Sequence, residues 1–306
     1  MPVWARLGSR SVCHTPAPEP CQTRHITELK DPVMELVVFD LDGTLLNGDS
    51  EVSPRTADTL RLLTERGIAY TVATGRMRQG SRQLLAAHGF VLPQIFKNGV
   101  MTWCPGKEDY LHVDLLTPDE ILHVMHAIDA QGITPFVFTL EPDGRQGVYH
   151  SRTRNAAEER LLSYFSGHAG VIVQPVSSLP GDAAITNISA LGPAAQVAAV
   201  ERLVEVEPRL VAFAGSAIEG DHLVWIDVHH GEASKGAAVT RLREQLGVTR
   251  VICFGDGDND LSMFLIADEC YAPDNAKPEI KAVATGVIGH HHEDGVAEIL
   301  RERFRL

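Results

Sequence analysis

Two carboxylates, Asp40 and Asp42, directly follow a short apolar run, Leu36 to Phe39, in the stretch LVVFDLDGTLL. The run has the composition of a strand buried on both faces of a parallel sheet. Alternate residues of a strand point the same way, so both carboxylates could face one site. Two carboxylates at such a short distance repel each other. A divalent cation would relieve the repulsion and keep Asp40 ionised. Such a pair suits a nucleophile and a general acid/base, although a strand-end turn with two solvated carboxylates would have the same sequence.

A second acidic stretch, GDGDND at residues 255–260, follows another strand-like run, Arg250 to Phe254. Hard cations prefer carboxylate oxygens, so an acidic, glycine-rich loop after a buried strand predicts a Mg²⁺ site. A calcium-binding EF-hand loop is the alternative. It is excluded because no acidic residue occupies the twelfth position and because a strand precedes the loop.

Three polar motifs stand at predicted strand or helix ends: TGR at 74–76, KNG at 97–99 and SKG at 234–236. The Thr74 hydroxyl and adjacent backbone N–H groups, including that of Gly75, could bind a phosphoryl oxygen. Asn98 belongs first of all to a turn signal, and a lysine at a helix start, such as Lys235, is more often solvated. Lysine is also a compact point charge that suits a transferring phosphoryl group. Each motif by itself is compatible with a plain turn.

In chain order, the motifs FDLDGT, TGR, SKG and GDGDND resemble the four motifs of the haloacid dehalogenase (HAD) superfamily, most of whose members are Mg²⁺-dependent phosphatases. The combination of FDLDGT and GDGDND is far more specific than either part. SKG and GDGDNDLSM have the form found in the Cof-like branch. The resemblance extends from about Met34 to the end of the chain. It includes EDGVA and also YAPDNA, which departs from the usual form before Asn275.

The resemblance implies a phosphatase in which Asp40 attacks phosphorus to form an aspartyl-phosphate, while Asp42 is the general acid/base of both half-reactions. It also implies that Mg²⁺ is bound by the Asp40 carboxylate, the Asp42 backbone carbonyl and Asp256. Asp258 falls at a variable position and is expected to be solvated. The other implied site residues are those that bind the phosphoryl group, Thr74, Gly75, Lys235 and Asn259, and those that support the site, Asp260 as the partner of Lys235 and Asn98.

The elements that position these residues form an α/β pattern. Strands alternate with helices in residues 34–99 and 228–306, which predicts a Rossmann-like core with a parallel sheet. In residues 100–227, strand pairs alternate with helices. This predicts an α+β segment with a largely antiparallel sheet that closes with a strand pair around residues 219–221. The segment resembles the type IIB cap, which would exclude water and select the substrate.

Composition limits the possible partners. The hydrophobic fraction of 44% and the charged fraction of 22% are ordinary for a globular protein. The net charge of -13 argues against non-specific binding of nucleic acid. No apolar run approaches the roughly 18 residues of a membrane span. We therefore expect a small phosphorylated metabolite as the partner, no nucleic acid and no membrane, and we leave the oligomeric state open.

The cysteines and histidines do not indicate a structural zinc site. The five cysteines (Cys13, Cys21, Cys104, Cys253 and Cys270) are widely spaced and include no C-x-x-C pair. This spacing is typical of a reducing compartment. The cytoplasm is the default location, because the sequence shows no targeting signal. The histidines at 290–292 and 229–230 are expected in surface loops, because three adjacent histidines of a regular element cannot all bind one metal.

Residues 1–33 are rich in Pro, Ser, Thr and Arg and show no hydrophobic period, which predicts a disordered tail. A transit peptide is disfavoured by the acidic residues Glu19, Glu28 and Asp31. Met34 stands directly before the first motif and is a possible alternative start.

Three functions stay open at this stage. The first is a Mg²⁺-dependent phosphatase for a sugar phosphate or a nucleotide-like or coenzyme-like phosphate. The second is a phosphomutase or other phosphotransferase that shares the aspartyl-phosphate but shields it from water. The third is a non-catalytic protein that binds phosphorylated metabolites. A dehalogenase is disfavoured because that chemistry does not need an acid/base at Asp42.

Overall fold

The computed structural model describes residues 35–216 and 223–306. The predicted tail, residues 1–33, and the predicted turn at 219–221 lie outside these ranges. The strands are β1 Glu35–Phe39, β2 Ala69–Val72, β3 Gln94–Phe96, β4 Met101–Cys104, β5 Asp109–Val113, β6 Thr134–Leu140, β7 Gln146–His150, β8 Val171–Pro175, β9 Ala184–Pro193, β10 Leu210–Ser216, β11 Leu223–His230, β12 Arg250–Phe254, β13 Glu269–Pro273 and β14 Gly286–Ile288. The helices are α1 Pro54–Glu65, α2 Arg78–Ala87, α3 Pro118–Ala130, α4 Ala156–Ser166, α5 Ala194–Val204, α6 Lys235–Leu246, α7 Leu261–Phe264, α8 Pro278–Val283 and α9 Gly295–Phe304.

The chain divides into two compact units. The larger unit contains the described residues up to His112 and those from Ala233 onward, and the smaller unit contains Val113 to Glu232. The sequence placed the inserted segment at residues 100–227. The smaller unit begins at Val113 and not at residue 100, because β4 pairs antiparallel with β3 and forms a three-stranded sheet with β3 and β5. That the inserted segment acts as a cap stays a prediction.

A five-stranded parallel sheet with the order β14-β13-β12-β1-β2 forms the centre of the larger unit. The side chains from Leu36 to Phe39 in β1 are all fully buried. This burial confirms the strand that was predicted to be covered on both faces. Leu36 and Val38 share one apolar core with Val239 and Leu242 of α6. The predicted α/β core with a parallel sheet is therefore confirmed.

Local signals determine where the helices of this unit begin. Ser53 caps α1 by accepting the backbone N–H of Thr56 at 3.0 Å, with Pro54 at the first helical position. Ser234 caps α6 in the same way by accepting the N–H of Ala237 at 3.0 Å. Lys235 consequently occupies the first turn of α6.

The ends of β1, β2 and β12 lie at one edge of the sheet. Phe39 at the end of β1 pairs in register with Val72 of β2 and with Phe254 of β12. Because these strands are parallel, the segments that follow them all begin at the same edge. The motifs FDLDGT, TGR and GDGDND are brought together in this way.

The smaller unit contains a six-stranded sheet with the order β10-β11-β9-β6-β7-β8. Its neighbouring strands are antiparallel except for β7 and β8, which are parallel. The predicted, largely antiparallel α+β arrangement is therefore confirmed. α3 begins at a capping box of Thr117 and Glu120. Val124 of α3 and Val197 of α5 belong to the same apolar core as Val137 of β6.

The prediction of a surface loop for residues 229–230 is wrong. β11 continues to His230, and His229 pairs with Val211 of β10 and with Asn187 of β9. His229 is fully buried as a result. The strand continues because its backbone finds hydrogen-bonding partners on both sides, which the composition of the pair did not reveal.

Cys104, Cys253 and Cys270 are free and buried. Cys253 lies in β12 and is a small, fully buried residue of the apolar core. None of the helices in residues 35–216 and 223–306 has both the length and the apolar composition that crossing a membrane requires.

Candidate active site

Asp40, Lys235 and Asp260 form a buried chain of charges in the larger unit. Lys235 Nζ donates to Asp40 Oδ1 at 2.6 Å and to Asp260 Oδ1 at 2.6 Å, and the lysine side chain is 0% exposed. Asp260 Oδ2 accepts the backbone N–H groups of Asp256 and Gly257, each at 2.9 Å. Asp260 is therefore bound through both oxygens. Asp40 Oδ2, by contrast, has no hydrogen-bond partner in the part of the chain that the structure describes.

The charges of this chain shift one another's pKa values. Burial by itself would lower the pKa of Lys235, but the charges of Asp260 and Asp40 raise it above its ordinary value, so the ammonium group stays charged. Burial raises the pKa of Asp40 well above its ordinary value. The charge of Lys235 opposes this shift, and the charges of Asp260 and Asp256 add to it. A further cation would return Asp40 to the ionised form that a nucleophile requires.

Asp256 lies against the turn that follows β1. Its Oδ1 accepts the hydroxyl of Thr44 at 3.0 Å. A Cβ on Gly43, which has φ +76°, would lie 2.5 Å from Asp256 Oδ2, so the turn requires glycine for both its conformation and its space. Burial, followed by the charge of Asp260, raises the pKa of Asp256 to about 6. The positive charge near Asp256 is therefore too small to offset the cost of its burial.

The oxygen donors of this site suit Mg²⁺. Carboxylate oxygens of Asp40, Asp256 and Asp260 lie within 4.8 Å of one another. Because Asp260 is already bound to Lys235 and two amides, Asp40 and Asp256 are the carboxylates left to bind a cation. Hard oxygen donors whose pKa values are raised by burial and by neighbouring carboxylates fit this ion. The carboxylate of Asp42 does not belong to this group of oxygens. That the backbone carbonyl of Asp42 binds the ion stays a prediction.

Four residues with predicted phosphate-binding or supporting roles lie together. Asn98 donates its backbone N–H to Thr74 O at 3.0 Å, and Asn259 Nδ2 donates to Asn98 Oδ1 at 2.9 Å. A Cβ on Gly75 would lie 3.1 Å from Asn98 Oδ1. Thr74 Oγ1 accepts the N–H of Arg76 at 3.2 Å, which leaves the hydroxyl hydrogen able to reach a phosphoryl oxygen.

The KNG motif packs against the start of α6. Asn98 has φ +56° and Gly99 has φ +104°, and a Cβ on Gly99 would lie only 2.1 Å from the backbone oxygen of Ser234. Only glycine permits this approach. The turn signal in the sequence thus brings Asn98 next to the helix that begins with Lys235.

The carboxylate of Asp42 binds Arg76. Arg76 Nε donates to Asp42 Oδ2 at 2.7 Å and Nη2 donates to Oδ1 at 2.5 Å, and the Asp42 side chain is 56% exposed. The expectation that Asp40 and Asp42 alternate along one strand is wrong, because β1 ends at Phe39 and Leu41–Leu45 form a turn. Arg76 was not among the predicted site residues, although its place in the TGR motif next to Thr74 and Gly75 could have indicated it.

Comparison with known sequences identifies the family. A sequence profile described as haloacid dehalogenase-like hydrolase matches residues 37–300. The chain is 25% identical over 281 residues to the 5-amino-6-(5-phospho-D-ribitylamino)uracil phosphatase YitU of Bacillus subtilis, covering 89% of this chain and 98% of that protein. It is 26% identical over 280 residues to an HMP-PP phosphatase of Serratia proteamaculans, covering 88% of this chain and 95% of that protein.

Solved structures have the same fold. A haloacid dehalogenase-like hydrolase from Bacillus subtilis gives a TM-score of 0.71 at 22% identity and covers 88% of this chain and 99% of its own. A sugar phosphatase of HAD subclass IIB gives a TM-score of 0.71 at 19% identity and covers 89% of this chain and 100% of its own. Because the profile matches most of the chain and the motifs meet at one edge of the parallel sheet, the chain belongs to the haloacid dehalogenase-like hydrolases, in their Cof-like branch, and is a phosphatase.

Proposed function

We propose that the protein hydrolyses small phosphate monoesters in a Mg²⁺-dependent reaction through an aspartyl-phosphate on Asp40. The environment of Asp40 carries the proposal. Lys235 holds Oδ1 at 2.6 Å in a buried site, and Oδ2 is left to attack phosphorus. A carboxylate whose orientation is fixed through one oxygen is a preorganised nucleophile.

The two half-reactions need one acid/base. Asp40 Oδ2 attacks phosphorus, and the ester oxygen leaves with a proton from Asp42. Asp42 then takes a proton from water, whose oxygen attacks phosphorus and releases phosphate and Asp40. Arg76 donates to both oxygens of Asp42 and so orients the carboxylate. Each oxygen keeps a second lone pair on which Asp42 can carry the proton.

The remaining groups bind the phosphoryl oxygens or orient the groups that do. Mg²⁺, when bound by the carboxylates of Asp40 and Asp256 and the backbone carbonyl of Asp42, would offset the charge of these oxygens. The residues proposed to bind the oxygens directly are Thr74, Gly75, Lys235 and Asn259. Asp260 supports Lys235, and Asn98 supports Asn259 through the hydrogen bonds already described.

We propose a phosphorylated sugar or coenzyme precursor as the substrate. This class is supported by the names of the relatives, which include a phosphatase for a ribitylamino-uracil phosphate, an HMP-PP phosphatase and a sugar phosphatase. We further propose that the smaller unit selects among such esters. Exchanging residues 113–232 for those of a relative should change the order of preferred substrates and leave the metal requirement unchanged.

The direct test is phosphate release from a panel of sugar, nucleotide and coenzyme-precursor phosphates, measured with Mg²⁺ and with EDTA. We expect release by the wild type with Mg²⁺ only, loss of release in Asp40→Asn, and retention in Asp258→Asn, which changes an exposed side chain of the same acidic loop as Asp256. Release that survives Asp40→Asn would remove this residue as the nucleophile.

The same panel separates the phosphatase from a phosphomutase. Transfer of the phosphoryl group to a second hydroxyl of a sugar phosphate without phosphate release, followed by phosphorus NMR, would identify a mutase. Binding without turnover of any ester would identify a non-catalytic protein.

A further inference from the structure

His291–Glu293 form a helical turn near the C-terminal end of the larger unit. Two of its histidines form hydrogen bonds with the segment that follows the FDLDGT turn. His291 Nδ1 lies 2.7 Å from the backbone oxygen of Leu46. His292 Nδ1 lies 3.0 Å from the backbone nitrogen of Gly48. A Cβ on Gly48 would lie 2.6 Å from His292 Cε1, so the imidazole packs directly on the glycine backbone.

The partners of the two imidazoles determine where their hydrogens lie. A carbonyl oxygen can only accept, so His291 must carry a hydrogen on Nδ1. A backbone N–H can only donate, so His292 Nδ1 must be without one. Neighbouring histidines thus make two different bonds to the same segment, one as donor and one as acceptor.

The imidazole rings of His290, His291 and His292 pack on one another. Nδ1 of His290 accepts the N–H of His292 at 3.2 Å, so every Nδ1 of the three rings already has a partner. The rings are inclined by only 27–34° to one another. The Nδ1 atoms therefore bond to the backbone, which leaves the Nε2 atom of each ring for any other ligand.

Asn275 connects His291 to the FDLDGT turn itself. Asn275 Oδ1 accepts the backbone N–H of His291 at 3.2 Å, and Asn275 Nδ2 donates to the backbone oxygen of Gly43 at 2.7 Å. Gly43 has φ +76°, and a glycine backbone is the least restricted by its own side chain. The bond from Asn275 therefore limits rotation of the peptides next to Asp42.

We propose that His291 is a positioning residue for phosphoryl transfer. It holds Leu46 through its imidazole and Gly43 through Asn275, and so keeps the turn Leu41–Leu45 in the conformation in which Asp42 acts. The inference rests on the proposed function, because that function gives Asp42 in this turn its role as acid/base. The bracing itself can be measured without any substrate, so its failure is distinguishable from failure of the proposed function.

Three variants separate positioning from general stability. His291→Leu removes the Nδ1 donor and keeps an apolar side chain of moderate size. His291→Asn retains an N–H group close to the position of Nδ1. His290→Asn is the matched control, because it changes the neighbouring histidine but keeps an acceptor for the N–H of His292.

We expect His291→Leu to lower kcat by about 10- to 100-fold with KM changed less than about threefold, the size of effect that a small misplacement of a catalytic group produces. His291→Asn should recover most of the lost kcat, and His290→Asn should match the wild type. Amide hydrogen exchange of the peptide covering residues 41–48 should become faster in His291→Leu, while exchange in β1 and β12 stays unchanged.

Two results would overturn the proposal. One is unchanged exchange at residues 41–48 in His291→Leu, whatever the activity. The other is faster exchange throughout the larger unit, including β12, which would make the effect one of overall stability. If the wild type hydrolyses no ester of the panel, the exchange measurement alone decides whether His291 holds the turn.

Discussion

Asp256→Asn should stabilise the protein in the absence of divalent cations while lowering its activity. Burial and the charge of Asp260 raise the pKa of Asp256 from its ordinary value of 3.8 to about 6. Between these two pH values the folded protein holds a proton that the unfolded chain has released. The stability of the metal-free protein therefore falls as pH rises through this window, and the loss is complete above pH 6.

The size of the effect follows from the shift. A change of pKa from 3.8 to about 6 corresponds to about 3 kcal/mol of unfolding free energy at neutral pH. Asparagine carries no charge and retains an oxygen that can accept the Thr44 hydroxyl. We expect Asp256→Asn to be more stable than the wild type by roughly 1–3 kcal/mol at pH 7.5 in EDTA. The two proteins should be nearly equal at about pH 3, below the unfolded pKa of 3.8, where Asp256 is protonated in both the folded and the unfolded chain.

Denaturant unfolding in EDTA at several pH values, repeated with excess Mg²⁺, is the assay. Mg²⁺ binds the folded wild type and should raise its stability at pH 7.5, whereas the variant, which has lost one carboxylate ligand, should gain much less. Asp258→Asn is the control, because Asp258 is exposed and paired with Lys277 at the surface, so its loss should cost less than about 1 kcal/mol. Identical pH profiles of the wild type and Asp256→Asn in EDTA would refute the reasoning.

Three further changes test other parts of the structure. Replacing Arg76 by glutamine should lower kcat by about 10- to 100-fold for alkyl phosphates, because the Asp42 carboxylate loses its orientation. The loss should be smaller for an aryl ester whose leaving group needs no proton. Lys235→Met should lower the free energy of unfolding by about 3–5 kcal/mol in urea titrations, because two buried carboxylates lose their cation. Hydrogen bonds from Arg303 lower the pKa of Glu269 to about 2, which contributes stability above pH 4.5 that is lost as pH falls toward 2. Arg303→Met should therefore cost roughly 1–2 kcal/mol at pH 7, reduced for solvent screening, and less at pH 3.

Each of these expectations has an outcome that contradicts it. Equal losses for alkyl and aryl esters would show that Arg76 does not act through the acid/base. A Lys235→Met protein as stable as the wild type would mean that water reaches the carboxylates when the lysine is absent. A cost of Arg303→Met that does not shrink toward pH 3 would show that it comes from lost packing and not from the charge of Glu269.

Much of the fold followed from local sequence. The apolar run from Leu36 to Phe39 predicted a buried strand, and α1 and α3 begin where Ser53 and Thr117 cap them. These features depend on periodicity and on hydrogen bonds between residues three or four positions apart, so they can be derived without knowledge of the fold. The burial of His229 could not be derived, because it depends on two strands that pair with β11 from other parts of the chain.

The sequence by itself determined the order of the motifs, and with it the chemistry that the residue types allow. Tertiary structure decided which distant groups come into contact and at what distance. Lys235 reaches Asp40 across 195 residues, Arg76 reaches Asp42 across 34, and His291 reaches Leu46 across 245. Such contacts depend on the register of parallel strands and on close backbone approaches, as at Gly99. No local pattern encodes the distance between side chains that the folded sheet brings to one edge.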